Sequence, residues 1–99
     1  MSIEDWRNEI DGIDRELLRL LNMRVRIAIK VGELKRSAGL PLNDQGREQD
    51  VLTQVHEANP GPLDDQAVAR IFRRIIRESR RAQECGARDV SGKLQEVAG

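Results

Sequence analysis

The stretch Trp6–Lys35, WRNEIDGIDRELLRLLNMRVRIAIKVGELK, decides the fold. Trp6, Ile10, Ile13, Leu17, Leu20, Ile27, Val31 and Leu34 share one face at about 100° per residue, as the stripe of a single helix does. No proline interrupts the run, and Gly12 costs only about 1 kcal/mol against alanine. Arg24 fills the step between Leu20 and Ile27, and Lys35 lies within about 20° of it on the same wheel. Burying a bare guanidinium and ammonium costs several kcal/mol each unless anions meet them. The seam therefore has acidic partners, or it faces a cavity made for an anionic ligand.

The length of the helix carries a second expectation. About 30 residues at 1.5 Å each span roughly 45 Å, whereas a compact domain of this size has a radius of gyration of only ~13 Å. The rest of the chain is too small to cover such a rod, and a second copy is the simplest cover. A homodimer is expected.

Working outward, Ser2 with Glu4 and Asp5 suits a helix start, and Gly39 followed by Pro41 suits a stop. A short second helix is expected from Asn43 or Asp44, with Val51, Leu52 and Val55 inward, ending before Asn59-Pro60-Gly61-Pro62. A third, capped by Asp64 or Asp65, turns Val68, Ile71, Phe72, Ile75 and Ile76 inward and ends at Gly86. Residues 87–99 read as a flexible tail. The expected architecture is all-α, one very long, one short and one medium helix in a domain over 1–86, intertwined with a second copy.

Composition narrows the function classes. The 99 residues allow one domain. Seventeen Lys and Arg balance seventeen Asp and Glu, so no global field draws in nucleic acid or a membrane surface. One Trp, one Phe and no Tyr leave little to stack on bases. The first residues lack a basic region followed by an apolar run, and no apolar stretch approaches membrane-spanning length. Cys85 is the only cysteine, which fits a reducing compartment. A cytoplasmic protein is expected. Arg73, Arg74, Arg77, Arg80 and Arg81 read as a solvated outer face, His56 as an exposed polar residue, and Trp6 as a packing anchor.

Each helix also turns polar groups toward its apolar seam. Asp44 and Glu48 stand one turn apart on the second helix, and Ser79 and Gln83 one turn apart on the third. Internal pairing, such as Arg24 with Glu48 and Ser79 with Gln83, would satisfy some of them. The surplus weighs against that account, because Arg7, Arg24, Lys35 and Arg47 outnumber the two inward acids. Unmatched positive charge is left for a dianion.

These residues, in this order, resemble the all-helical chorismate mutases. Arg7, Ile13-Asp14, Leu17-Leu18, Leu20-Leu21, Arg24, Val31-Gly32 and Lys35 match the family's long helix. Pro41, Asp44, Arg47 and Glu48 match its second-helix motif, and Ile75-Ile76, Glu78-Ser79 and Gln83 its third, so that the likeness covers residues 5 to about 84. Between Pro41 and Arg47 the family's usual apolar or aromatic residues are replaced by Asn43, Gln45 and Gly46. The resemblance implies a homodimer with two sites, each taking Arg7 from the other subunit, and a rearrangement of chorismate to prephenate in aromatic amino acid biosynthesis. It implies that Arg7 and Arg24 hold the carboxylates with Ser79 and Arg47 assisting. Glu48 and the Asp44 backbone would take the ring hydroxyl, and Lys35 and Gln83 would donate to the ether oxygen. No cofactor or metal is implied. Two other readings are an isochorismate pyruvate-lyase of the same fold and a non-catalytic helical dimerisation module. The second leaves the seam cations without a purpose.

Overall fold

A computed structural model describes the backbone of residues 1–98 and the side chains of residues 1–85. Three helices follow one another: α1 (Ile3–Ser37), α2 (Gln45–Ala58) and α3 (Asp65–Ala98). There are no strands among the described residues.

The ends of the helices are set by local chemistry. Ser2 caps α1 through a reciprocal box: the Asp5 backbone N–H donates to Ser2 Oγ at 3.1 Å and the Ser2 backbone N–H to Asp5 Oδ2 at 2.9 Å. This bond holds the Asp5 carboxyl below its usual range. At the other end Gly39 adopts φ +71°, which lets the Leu40 N–H reach back to the Lys35 carbonyl at 2.8 Å. Only glycine takes that left-handed turn without a steric penalty. Asp44 caps α2, accepting from the Arg47 N–H at 3.0 Å, and Asp64 serves α3 through the Ala67 N–H at 2.7 Å. The helix starts and the two breakers fall where the sequence puts them.

One end differs. The expected stop at Gly86 is not a stop, and α3 continues to Ala98. A single glycine costs only about 1 kcal/mol and no proline follows to enforce an ending. The tail expected to be flexible, residues 87–99, lies outside the described side chains.

α1 and α2 each pack on α3, and neither packs on the other. The chain measures 54 × 39 × 14 Å with a radius of gyration of 16.6 Å, well above the ~13 Å of a compact domain this size. A 14 Å thickness is close to that of one helix with its side chains. The chain is one layer thick, so it has little interior. Among the described residues only Gly32, Val51, Val68 and Ser79 are buried.

The apolar stripe of α1 is consequently not covered by its own chain. Trp6, Ile10, Ile13, Leu17 and Leu20 keep between 47% and 59% of their surface exposed. What α1 offers α3 is the neighbouring arc, where Arg24, Val25, Ala28, Ile29, Gly32 and Lys35 are half-buried or buried. On α3, Val68 is buried and Phe72, Ile75 and Ile76 are half-buried. Ile71, expected inward, is 48% exposed, at the edge of the arc that holds Val68 and Ile75.

α1 approaches α3 closely at Gly32. A Cβ there would lie 3.2 Å from Gln83 Cγ and 3.3 Å from Gln83 Cβ. The missing side chain is what lets the two helices meet at the level of Gln83. Gly32→Val should therefore drive the helices apart and destabilise the fold by about 1–3 kcal/mol. Thermal unfolding followed by circular dichroism measures this, and an unchanged midpoint would refute the close-packing role.

Candidate active site

Where the three helices come nearest to one another they leave a cleft of about 260 Å³. α1 contributes Arg24, Ile27, Ala28, Val31 and Lys35 at three- and four-residue steps, one face of the helix. The α1–α2 connection and α2 add Leu42, Asp44, Arg47, Glu48 and Val51, and α3 adds Ile76, Ser79, Arg80 and Gln83. The walls combine an apolar floor with a ring of charge, the usual make-up of a small-molecule site.

Seven of the eight candidate residues border this cleft: Arg24, Lys35, Asp44, Arg47, Glu48, Ser79 and Gln83. Arg7 does not. It is exposed near the start of α1, 17 residues before Arg24, and so roughly 25 Å along the axis.

The pairing inside the cleft differs from the internal scheme of Arg24 with Glu48 and Ser79 with Gln83. Arg24 Nη1 donates to Ser79 Oγ at 2.8 Å. Gln83 Nε2 donates to the Ala28 carbonyl at 2.8 Å, which fixes the amide and leaves its second N–H available. The Arg36 guanidinium donates to the Gln83 carbonyl and ties the same turn of α3 to α1 from outside. Glu48 pairs with Arg80. The Asp44 carboxylate is occupied in capping α2. Both acids are thus committed elsewhere, and Arg24, Lys35 and Arg47 face the cleft without a carboxylate from either.

The electrostatic consequence is visible at Arg24. Burial, and then the like charge of Arg47, lower its pKa from the usual arginine value. The guanidinium stays protonated, since its pKa starts far above neutrality, but it is held in a position that disfavours its charge. An anion placed between Arg24 and Arg47 would relieve both penalties.

Arg80 is the lining residue that sequence reasoning assigned elsewhere. It reads as one of five arginines on an outer face, and Arg73, Arg74, Arg77 and Arg81 are indeed exposed. Arg80, however, is four residues after Ile76, and both line the cleft. The helical wheel carried that signal, masked by the run of like residues. His56 is exposed, with Nδ1 3.3 Å from Asp65 Oδ2, and Cys85 is a free, exposed thiol. No cluster of His, Cys, Asp and Glu suited to a metal occurs among the described residues. Among them, too, no helix is long and apolar enough to cross a membrane.

The fold and the site together define a class: an all-helical chain whose three helices share one cleft lined by cations, a hydroxyl, an amide and a carboxylate. The comparisons make the class specific. The family model for chorismate mutase type II matches residues 6–84, and the chain belongs to that family. It is 46% identical over 72 residues to a bifunctional chorismate mutase/prephenate dehydratase of Neisseria gonorrhoeae, covering 73% of this chain and 19% of that protein. It is 29% identical over 83 residues to the chorismate mutase of Methanocaldococcus jannaschii, covering 83% of this chain and 84% of that one. The structure of chorismate mutase (Form II) from Thermus thermophilus superposes with a TM-score of 0.82 at 36% identity, over 83% of this chain and 93% of the other. The chain spans about a fifth of the length of the bifunctional relatives.

Ser79 is the buried partner of Arg24, at 5% exposure. Ser79→Ala should leave a half-buried guanidinium short of a hydrogen bond and cost about 1–3 kcal/mol of stability. Urea unfolding checks this, and a stability equal to the parent's would mean that the bond contributes nothing.

Proposed function

We propose that the protein is a chorismate mutase, converting chorismate to prephenate in a cleft completed by a second copy of the chain. The observation that carries this reading is the convergence of Arg24, Lys35 and Arg47 on one cleft whose two acids are already engaged. Membership of the family supplies the reaction.

Chorismate carries two carboxylates, a ring hydroxyl and an enol-ether oxygen. Its rearrangement breaks one carbon–oxygen bond and forms one carbon–carbon bond within the same molecule, so no proton need be added or removed and no nucleophile is required. What the protein supplies is conformation and charge. Arg24, oriented by Ser79 and assisted by Arg47, takes one carboxylate, and Arg7 of the second copy takes the other. Glu48 and the Asp44 backbone accept the ring hydroxyl. Lys35 and the free N–H of Gln83 donate to the ether oxygen, on which negative charge grows as the bond to carbon breaks.

The second copy is supported by the same features that leave this chain unfinished. The first half of α1 presents an apolar stripe that stays exposed in its own chain, with Arg7 exposed on the flank of the same helix. A homodimer in which two such stripes cover each other would bury them and carry each Arg7 toward the partner's cleft. Incubation with chorismate tests the activity directly: its ultraviolet absorbance should fall and prephenate should appear by NMR. Pyruvate release would point to a lyase, and unchanged chorismate would refute the reading.

Two further outcomes are expected. Mixing an Arg7→Ala chain with an Arg24→Ala chain, each inactive alone, should restore about one intact site per heterodimer, because each defect falls in the same shared site. A mixture that stays inactive after proven subunit exchange would rule out the shared cleft.

Lys35→Ala should chiefly lower kcat, by roughly 10²–10³-fold, because its partner oxygen gains charge only toward the transition state. Arg24→Ala should also raise KM, because a carboxylate is charged throughout. Steady-state kinetics of both variants separate the roles, and purely binding-type losses in both would contradict them.

A further inference from the structure

Arg80 is a cation in the cleft for which the proposed reaction has no use. It lines the wall beside Ser79 and Gln83, and its guanidinium is engaged by Glu48. The placement of that pair is informative. α2 packs on α3 and not on α1, so Glu48 is placed relative to the cations of α1 by its packing on α3 and by the short α1–α2 connection. The polar ties between α2 and α3 fall at two ends. Far from the cleft, His56 and Asn59 both reach Asp65, at 3.3 and 3.0 Å. At the cleft, the tie is Glu48 with Arg80, each about 30% exposed.

Charge gives that tie a second effect. Glu48 borders the same cleft as Arg24, Lys35 and Arg47. A carboxylate free to move among three cations would pair with one of them and neutralise it, which is the internal scheme the structure avoids. The pair engages Glu48 through Oε1, which leaves Oε2 to accept from a ligand.

We propose that Arg80 is a positioning residue: it holds Glu48 as the acceptor for the ligand's ring hydroxyl and keeps it off the cations that take the ligand's carboxylates. This inference rests on the mutase reading and adds a specificity device to it. A merely structural ion pair would affect stability and leave ligand preference alone, whereas a positioning pair sets how well the site distinguishes a ligand with the hydroxyl from one without it.

The test uses the full chain and two stable oxabicyclic dicarboxylates that imitate the rearranging skeleton, one bearing the ring hydroxyl and one lacking it. The parent should prefer the hydroxylated compound by about tenfold or more, since a site built to bond a hydroxyl leaves polar groups unpaired without it. Arg80→Met should shrink that preference to about twofold or less, and raise KM for chorismate as Glu48 turns toward Arg24 or Arg47. Arg80→Lys, which keeps the charge and folds with less disturbance, should recover part of the preference. Glu48→Ala should abolish it, and adding Arg80→Met to that variant should change it no further. A preference in Arg80→Met equal to the parent's, or one in the double variant that changes again, would overturn the inference. A parent that rearranges no chorismate and binds neither dicarboxylate would instead overturn the mutase reading, and this inference with it.

Discussion

The structure depends on a helix longer than its own chain can cover. α1 runs for 35 residues, about 52 Å at the usual rise, while α3 lies against only its second half. The covered half carries Arg24, Ala28, Gly32 and Lys35 into contact with α3 and creates the cleft. The uncovered half keeps its apolar stripe in water, with two valines and a serine as the only buried side chains of the described chain. Burial on this scale cannot offset the entropy of ordering ninety-odd residues. The second copy proposed above would supply the missing burial as well as Arg7.

Within the covered half, the organising feature is an imbalance of charge that the fold maintains rather than neutralises. Three cations face a small volume, and each of the two nearby acids has been given other work: Asp44 caps a helix, Glu48 holds Arg80. The cost appears as the lowered pKa of Arg24, and its neutral partner Ser79 orients the guanidinium without cancelling it. This is the preorganisation that the proposed dianionic substrate would require, since repulsion met during folding would be relieved on binding. Gln83 follows the same logic: one N–H anchors the amide to Ala28 and the other is left to act.

α3 is the hub of this arrangement. It touches both other helices, which do not touch each other, and its contacts fall on successive turns: Ile76, Ser79 with Arg80, then Gln83. The glycine at position 32 allows the last of these to sit flush against α1. Small displacements of α3 would therefore move the donors and the acceptor together.

Much of this was legible in the sequence because it is local. Helix periodicity, the Ser2–Asp5 box, the Gly39 stop and the Pro60–Pro62 breaker depend on residues a few positions apart, and they fix three helices and their order. The same periodicity put Arg24, Lys35, Asp44, Glu48, Ser79 and Gln83 on inward arcs, and their joint spacing carried the family resemblance. Tertiary structure decided what the wheel cannot express, namely which arc of a helix meets which neighbour. The apolar stripe of α1 and the arc that packs on α3 lie side by side, so the stripe stays exposed in one chain, and Ile71 with it. Pairing across helices depends on distances between residues about 30 to 55 positions apart: Arg24 went to Ser79 and Glu48 to Arg80, an arginine hidden in a run of five. Sequence periodicity gives an angle about one axis, whereas a site is set by the distances between three.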